Sequence, residues 1–519
     1  MGSLRALKQL RVVLSLFFLT ATSVVLLDFR GILPPTLVRT ILFLQFTPSV
    51  LRFLTLPALA ATGFVLVLIL TFLFGRVYCS TICPLGTVQD LVSYSSRKIR
   101  PKKFQEPTRS YLRIHLAFLL VSALPATFGS ILALTLLDPF SNFGRLVQSL
   151  VRPMIIFGNN ALSSLLAVVH QYDIFPVELH WVPVASILLP LLFLVLVGWM
   201  SFHHGRLYCN SMCPVGYLLR LLSRFSLLKI SIDADHCKSC QLCQRVCKAG
   251  CIDRKAKSVD FERCVSCFNC FTACPSEGLR FVSRFGKSGQ SEQPVDVPRR
   301  LFLLGSPALF LGQKIVADTS KVVKPLKEST IPERKHHPVT PPGSLSLAHF
   351  NQTCTACHVC ISSCPSQVLQ PSVLQYGLAG LLQPTMAFDA SFCNFECTRC
   401  TEVCPSGAIA RLSVEDKKFS QSGRVVFIRE NCVVYTEETD CGACTEHCPT
   451  KAVTMIPYKN SRIPQVNADY CIGCGACEHA CPVRPYRAIY VDGNSVHLRA
   501  KKKPAEKKQE VRIGDAFPF

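Results

Sequence analysis

Cys471-Ile472-Gly473-Cys474-Gly475-Ala476-Cys477-Glu478-His479-Ala480-Cys481-Pro482 carries four cysteines in the register C-x2-C-x2-C-x3-C-P. This is the bacterial iron–sulfur run, in which three cysteines wrap one face of a cubane. The fourth, at the start of the next helix, ligates the neighbouring cluster of a pair. Read outward from this stretch, the register takes in 24 of the 29 cysteines, as six groups of four. Crossing the fourth ligand within each pair gives six expected sets. Cys237, Cys240, Cys243 go with Cys274, and Cys264, Cys267, Cys270 with Cys247. Cys354, Cys357, Cys360 go with Cys404, and Cys393, Cys397, Cys400 with Cys364. Cys432, Cys441, Cys444 go with Cys481, and Cys471, Cys474, Cys477 with Cys448. Two groups have longer first loops, three residues between Cys393 and Cys397 and eight between Cys432 and Cys441. Cys251 is left over and is expected to be a buried or free thiol.

Other cysteine chemistries fit less well. Disulfide scaffolds suit small secreted chains without a repeated register. Tetrahedral zinc takes isolated C-x2-C pairs and does not explain the closing Cys-Pro. Cys354-Thr355-Ala356-Cys357-His358 matches a c-haem attachment string, but both its cysteines already belong to the register with Cys360 and Cys364.

Mean hydropathy is +0.32, and the apolar content is concentrated before residue 203. Uncharged stretches run Val12–Leu27, Phe53–Gly75, Ile114–Leu137 and Trp181–Phe202, near the length that crosses a hydrocarbon layer. The expected fold class is therefore a four-span α-helical membrane part plus α+β ferredoxin-like modules. Ile41–Phe46 reads as interfacial. Pro153–Val169, interrupted by Gly158-Asn159-Asn160, reads as a fifth segment that lies on the surface or re-enters rather than spans. No small-residue cleavage site closes the first apolar run before Asp28, which argues against a secretory signal.

The net charge of +23 collects beside the spans. Arg5, Lys8 and Arg11 precede the first. Arg97, Lys98, Arg100, Lys102, Lys103, Arg109 and Arg113 lie between the second and third. Arg206, Arg220, Arg224 and Lys229 follow the fourth. The positive-inside bias places all three regions in the cytoplasm, so the charge reads as an orientation signal and gives no reason to expect nucleic acid as a partner.

The membrane part is duplicated. Gly75-Arg76-Val77-Tyr78-Cys79-Ser80-Thr81-Ile82-Cys83-Pro84-Leu85-Gly86 returns 130 residues later as Gly205-Arg206-Leu207-Tyr208-Cys209-Asn210-Ser211-Met212-Cys213-Pro214-Val215-Gly216, with seven of twelve positions identical. Cys79, Cys83, Cys209 and Cys213 thereby reach one membrane level, where they are candidates for a further metal or redox site. Arg76, Tyr78, Arg206 and Tyr208 are candidate contacts to a quinone headgroup near the interface. His115, His170, His180, His203 and His204 are available to carry quinol protons, and nothing in the sequence singles one out.

Residues 1–285, with G-R-x-Y-C-x3-C-P-x-G after two spans and then a two-cluster run, resemble the NapH/NosR/CcoG family of polytopic iron–sulfur proteins. Residues 299–495 resemble the NapG/MauM ferredoxins, which carry four cluster motifs behind a twin-arginine leader; Pro298-Arg299-Arg300-Leu301-Phe302-Leu303-Leu304-Gly305 is similar to such a leader's core. The resemblance implies a fusion of two subunits that elsewhere act as a quinol dehydrogenase pair in the bacterial inner membrane. It implies six [4Fe–4S] clusters carrying electrons from the quinone pool to a redox partner protein, a terminal reductase or a cytochrome. An accessory or regulatory role, supplying reducing equivalents to a metalloenzyme, is the alternative that relatives of the NosR/CcoG type suggest. No G-x-G-x-x-G nucleotide motif opens a helix after a strand.

The domain reading is 1–230 membrane, 231–285 two-cluster module, 286–345 leader-like segment and linker, 346–495 four-cluster domain and 496–519 basic tail. The first module is expected in the cytoplasm and the four-cluster domain across the membrane, the alternative being that the apolar run after Arg300 is a short interfacial helix and the tail stays in the cytoplasm. His336 and His337 read as solvated linker residues. Val425–Ile428 and Ala488–Val491 are expected to be short strands.

Overall fold

The structure is a computed structural model and describes residues 2–503 except 56–61, 100–110, 179–182, 234, 254–256, 277 and 284–330. The Arg299-Arg300 leader, His180 and Lys507-Lys508 lie outside the described residues.

The first part is helical: α1 Gly2–Leu27, α2 Pro35–Leu42, α3 Phe46–Thr55, α4 Gly63–Phe74, α5 Tyr78–Thr81, α6 Pro84–Ile99, α7 Leu112–Thr127, α8 Leu132–Leu137, α9 Pro139–Leu146, α10 Arg152–Val168, α11 Val184–His204, α12 Leu207–Ser211 and α13 Pro214–Ser223. Among the described residues, three stretches are long and apolar enough to cross a membrane: Ala6–Leu27, Pro139–Val168 and Val184–His204. A fourth arises if α2 and α3, bent by 106°, count as one.

Two sequence expectations change here. The stretch around Pro153–Val169, expected to lie on the surface or re-enter, belongs to a helical run long and apolar enough to span, because α9 and α10 run together through a π-helical turn at Val147–Val151. Asp138 caps the start by accepting from the Ser141 amide at 2.7 Å. Asn159 and Asn160, expected to break the segment, instead bond the carbonyls of Phe175 and Val177 at 3.1 and 2.8 Å and fasten the following loop. The expected third span is interrupted, its two pieces being α7 and α8; Pro125 stands in the last turn of α7 and Gly129 follows at φ +87°. The second takes in the end of α3 and the whole of α4, residues 56–61 between them lying outside the described ones.

Beyond Ser223 the chain forms short helices, one after each cysteine loop, and two-stranded antiparallel sheets. β1 Leu228–Ile232 pairs with β4 Leu279–Ser283, and β2 Ile252–Asp253 with β3 Ser258–Val259. β5 Leu369–Pro371 pairs with β6 Pro384–Met386, β7 Ser420–Phe427 with β10 Ile489–Arg499, and β8 Val453–Tyr458 with β9 Ser461–Val466. The two expected strand stretches lie in β7 and β10 and face one another, Val425 opposite Val491. Residues 331–344, read as linker, pack against this part: the Ile331 amide donates to Asn431, and Val339 and Thr340 are buried. His336 is exposed and bonds Asp492 at 2.7 Å.

One hydrophobic core runs without interruption from the first two-cluster module through the helices to the 354–404 pair. A second core encloses the 432–481 pair. The first module meets the beginning of α1, where Lys8 donates to Thr272 at 3.1 Å. The 354–404 pair meets its other end, where Arg399 lies 3.6 Å from Asp28 and donates to the Leu33 carbonyl at 3.1 Å. At 1.5 Å per residue, Lys8 and Asp28 are about 30 Å apart along the helix axis, the thickness of a bilayer's hydrocarbon core.

Candidate functional site

The four regular cysteine loops share one backbone device. The residue before the second cysteine and the residue after it both take positive φ: Ser239 and Gln241, Ser266 and Phe268, Ala356 and His358, Gly473 and Gly475. These left-handed positions coil the loop so that its amides face the sulfurs. The Ser266 amide donates to Cys264 Sγ at 3.4 Å and the Gly473 amide to Cys471 Sγ at 3.3 Å. In the irregular Cys393–Cys397 loop another residue compensates. Lys417, 2% exposed, donates to the carbonyls of Asn394 and Phe395 and places its charge beside Cys393, Cys400 and Cys474. Sequence reading missed Lys417, since it belongs to no motif.

Around a cavity of about 30 Å³ stand Cys237, Cys240, Cys243 and Cys274. A second, of about 20 Å³, is lined by Cys247, Cys264, Cys267 and Cys270 together with Cys251. A third, of about 20 Å³, has Cys364, Cys393, Cys397 and Cys400 on its wall. Cys404 is the far-loop neighbour of Cys354, Cys357 and Cys360; Cys481 of Cys432 and Cys444; and Cys448 of Cys471, Cys474 and Cys477. Among the described residues, no three His, Cys, Asp or Glu side chains close on a single metal ion. Thiolates on one zinc would stand about 4 Å apart; cysteines ringing an open space suit a cluster.

Cys251 sits 3.5 Å from Cys247, sulfur to sulfur. Its thiol hydrogen bond, with help from nearby amides, draws Cys247 down to about 6, while Cys251 is itself pushed up by that bond, by Cys264 and by burial. Cys247 is thus the ready thiolate of the two, and thiolate is the ligating form. Elsewhere burial raises the thiols, Cys357 and Cys444 to about 12, so taking up iron there releases protons.

Within each pair the two sets are neighbours. Cys270 faces Cys243, Cys360 faces Cys400, and Cys477 faces Cys444. The Cys393 amide donates to the Cys474 carbonyl at 2.9 Å.

Arg76 and Arg206 are 0% exposed, Tyr78 is 1% and Tyr208 0%. The quinone-contact expectation for these four gives way, because each is committed internally. Arg76 Nη2 donates to the Cys209 carbonyl at 2.8 Å, and Arg206 Nη1 to the Cys79 carbonyl at 2.7 Å. Tyr208 Oη donates to the Leu137 carbonyl at 2.6 Å, and Tyr78 Oη accepts from the Phe46 amide at 3.3 Å. Asp90 binds Arg206 at 2.9 Å, Lys248 at 3.0 Å, and Arg11. Burial opposes its ionisation, but the three cations outweigh burial and hold the carboxyl well below the usual range. Lys248 follows Cys247, so this carboxylate ties both membrane copies to the first module. Of the candidate histidines, the structure singles out His115, which is buried with Nε2 2.8 Å from the Cys213 carbonyl.

A cavity of about 530 Å³ opens between α1, α6 and the first module, lined among others by Lys8, Arg11, Leu16, Leu91, Tyr94, Lys98 and Asn269. A second, of about 660 Å³ between α3, α4 and α13, is lined only by apolar side chains such as Phe46, Phe64 and Phe225.

Cysteine loops of this geometry, grafted to apolar helices, define an iron–sulfur electron-transfer protein of the ferredoxin type. The family model for a 4Fe-4S binding domain matches residues 56–103 and 186–233, and models for 4Fe-4S dicluster domains match 353–417 and 439–484. The methylamine utilization ferredoxin-type protein MauM of Methylophilus methylotrophus is 31% identical over 162 residues, 29% of this chain and 69% of the relative. The ferredoxin-type protein NapG of Escherichia coli is 32% identical over 150 residues, 27% of this chain and 64% of the relative. NapH of Haemophilus influenzae is 23% identical over 235 residues, 44% and 69% of the respective chains. The chain belongs to this family of ferredoxin-type 4Fe-4S proteins. No solved structure gives a significant match.

Proposed function

We propose that the chain is a membrane-spanning quinol dehydrogenase module: a NapH-like anchor and a NapG-like ferredoxin in one polypeptide, passing electrons from quinol along six [4Fe–4S] clusters to a redox partner. The six crossed cysteine sets named above are the ligands. Each cubane so held accepts and returns one electron, and the protein sets its potential through amide bonds, charge and exposure. The anchor crosses the membrane four times. The first module lies on the cytoplasmic side with the basic segments, and the four-cluster domain lies opposite.

The observation that carries this reading is the placement of the two cysteine-rich parts at opposite ends of α1, with the sets of each pair within electrostatic range of one another. The 530 Å³ cavity supports quinol as donor. It has the size of small-molecule sites, and it offers Lys8, Tyr94 and Lys98 to a polar headgroup. Asn269 on its wall precedes Cys270. The wholly apolar cavity has no group to orient a headgroup.

The test is anaerobic reduction of the chain in proteoliposomes by a reduced menaquinol analogue, followed by bleaching of the iron–sulfur absorption. Bleaching is expected, and Lys8→Ala with Lys98→Ala should slow it several-fold at unchanged iron content. Clusters that respond to dithionite but to no quinol would overturn the reading.

A further inference from the structure

We infer that Cys79, Cys83, Cys209 and Cys213 together hold one further iron–sulfur cluster, built from half-sites in the two copies of the membrane repeat. Its place in the relay rests on the proposed function; its existence does not.

Each copy falls in a match to a 4Fe-4S binding domain, yet each contains only two cysteines, and a cubane takes four. The fold joins the halves. All four cysteines are at most 5% exposed, and Cys213 lies within electrostatic range of the other three. The arginine of each copy reaches across to the first cysteine of the other, Arg76 to the Cys209 carbonyl and Arg206 to that of Cys79. Glycine makes room for the crossing arginines: a Cβ on Gly86 would stand 2.7 Å from Arg206 Nη1, and one on Gly216 3.1 Å from Arg76 Nη2.

The sulfurs are dressed as those of the ferredoxin sets are. The Gly216 amide donates to Cys213 Sγ at 3.3 Å, matching the amide bonds at Cys264 and Cys471. Cys83 and Cys213 immediately precede the prolines that open α6 and α13, where the helix N-terminus favours a thiolate. The Cys209 thiol donates to Oε1 of Gln89, a side chain 1% exposed, at 3.5 Å, and the Gln89 amide nitrogen is without a partner. Amide hydrogen bonds to sulfur tune cluster potentials.

Position supplies the reason. The four thiols lie between elements that touch the Cys247 set of the first module and elements that touch the Cys354 set of the four-cluster domain. On one side, Lys248, next to Cys247, shares Asp90 with Arg206 and accepts the Arg206 amide on its carbonyl at 2.9 Å. On the other, Tyr208 bonds Leu137, and Arg145 of α9 lies within electrostatic range of Tyr208, Cys354 and Cys357. The Cys357 carbonyl packs against Gly144, where a Cβ would approach it to 2.2 Å.

Iron and acid-labile sulfide are counted in the full chain, purified anaerobically and reconstituted with iron and sulfide. About 28 iron atoms per chain are expected, seven cubanes rather than six; about 24 overturns the inference. Cys79→Ser with Cys83→Ser, and separately Cys209→Ser with Cys213→Ser, should each lose the same four or so iron atoms, and the quadruple variant no more. Unchanged iron in the quadruple variant, or losses that add between the two doubles, overturns a shared site. A full count of seven in a chain that no quinol reduces would leave the site standing and remove the donor.

Discussion

The guanidinium of Arg206 donates to the carbonyl of Cys79, 127 residues earlier, at 2.7 Å. Arg76 returns the bond to Cys209, so the duplicated motifs fold as one reciprocally clamped unit. Two positions in that clamp admit no side chain. Gly86→Ala and Gly216→Ala would each drive a methyl into a backbone oxygen at under 2.5 Å. Overpacking of a rigid core costs about 1–3 kcal/mol, and displacement of backbone puts these at the upper end. Each substitution is expected to lower the thermal midpoint of the detergent-solubilised chain; Gly158→Ala, whose Cβ meets nothing within 4 Å, serves as control and should not.

Asp90 holds three cations at once, from α1, the second motif and the first module. Asp90→Asn keeps the shape and leaves Arg11, Arg206 and Lys248 buried without a counter-charge. Removing one partner of a buried ion pair costs about 3–5 kcal/mol. The expected result is loosening of the first module, read as hydrogen exchange in residues 228–253 rising well above its rate in 420–499. Equal protection of both regions in the variant would show that the carboxylate contributes nothing to docking.

How much of this was legible follows from which signals are local. The regular cysteine loops are local: spacing alone locates them, and the positive φ at Ser239, Ser266, Ala356 and Gly473 is the backbone consequence of fitting two residues between ligands. Strand pairing of Val425 with Val491 was half legible, since apolar runs mark strands but not partners. Arg76 and Tyr78 look like interfacial contacts in one dimension, because nothing in the sequence says that Arg76 reaches Cys209, 133 residues away, or that Tyr78 meets the Phe46 amide, 32 residues away. The α9–α10 helix was misread since Gly158-Asn159-Asn160 resembles a break, whereas the asparagines bond a loop outside the helix. Lys417 was invisible, as its value lies in two carbonyls that only the folded Cys393–Cys397 loop presents.

That lysine gives a redox prediction. Lys417→Met removes a buried positive charge from beside Cys393, Cys397, Cys400 and Cys474. A nearby cation stabilises the reduced, more negative cluster, and local charge is one of the protein's levers on potential. Potentiometric titration followed by electron paramagnetic resonance should show one or two centres moving to more negative potential. The others should stay in place, and so should the iron count if Met fills the methylene space.

Acid should weaken the four-cluster domain through two histidines. Burial lowers His358 to about 3, aided by the Arg145 charge, and lowers His497 to about 4. His358 Nε2 is 2.9 Å from the Leu382 carbonyl, and His497 Nε2 is 2.7 Å from Thr340 Oγ1. Both folded values lie below the ordinary 6.5, so between about pH 4 and 6.5 the unfolded chain binds more protons than the folded one. Stability therefore rises with pH across that window and is fully present above it. Each histidine contributes up to about 1.4 kcal/mol per pH unit inside it. Denaturant midpoints of the holo-protein, followed by near-ultraviolet circular dichroism, should fall from pH 6.5 to 4.5. His497→Gln, which keeps a polar group toward Thr340 but cannot take up the proton, should flatten the slope without changing the midpoint near pH 7.5 by more than the lost bond, about 1 kcal/mol. A slope unchanged in His497→Gln would mean that this histidine is not part of the acid response.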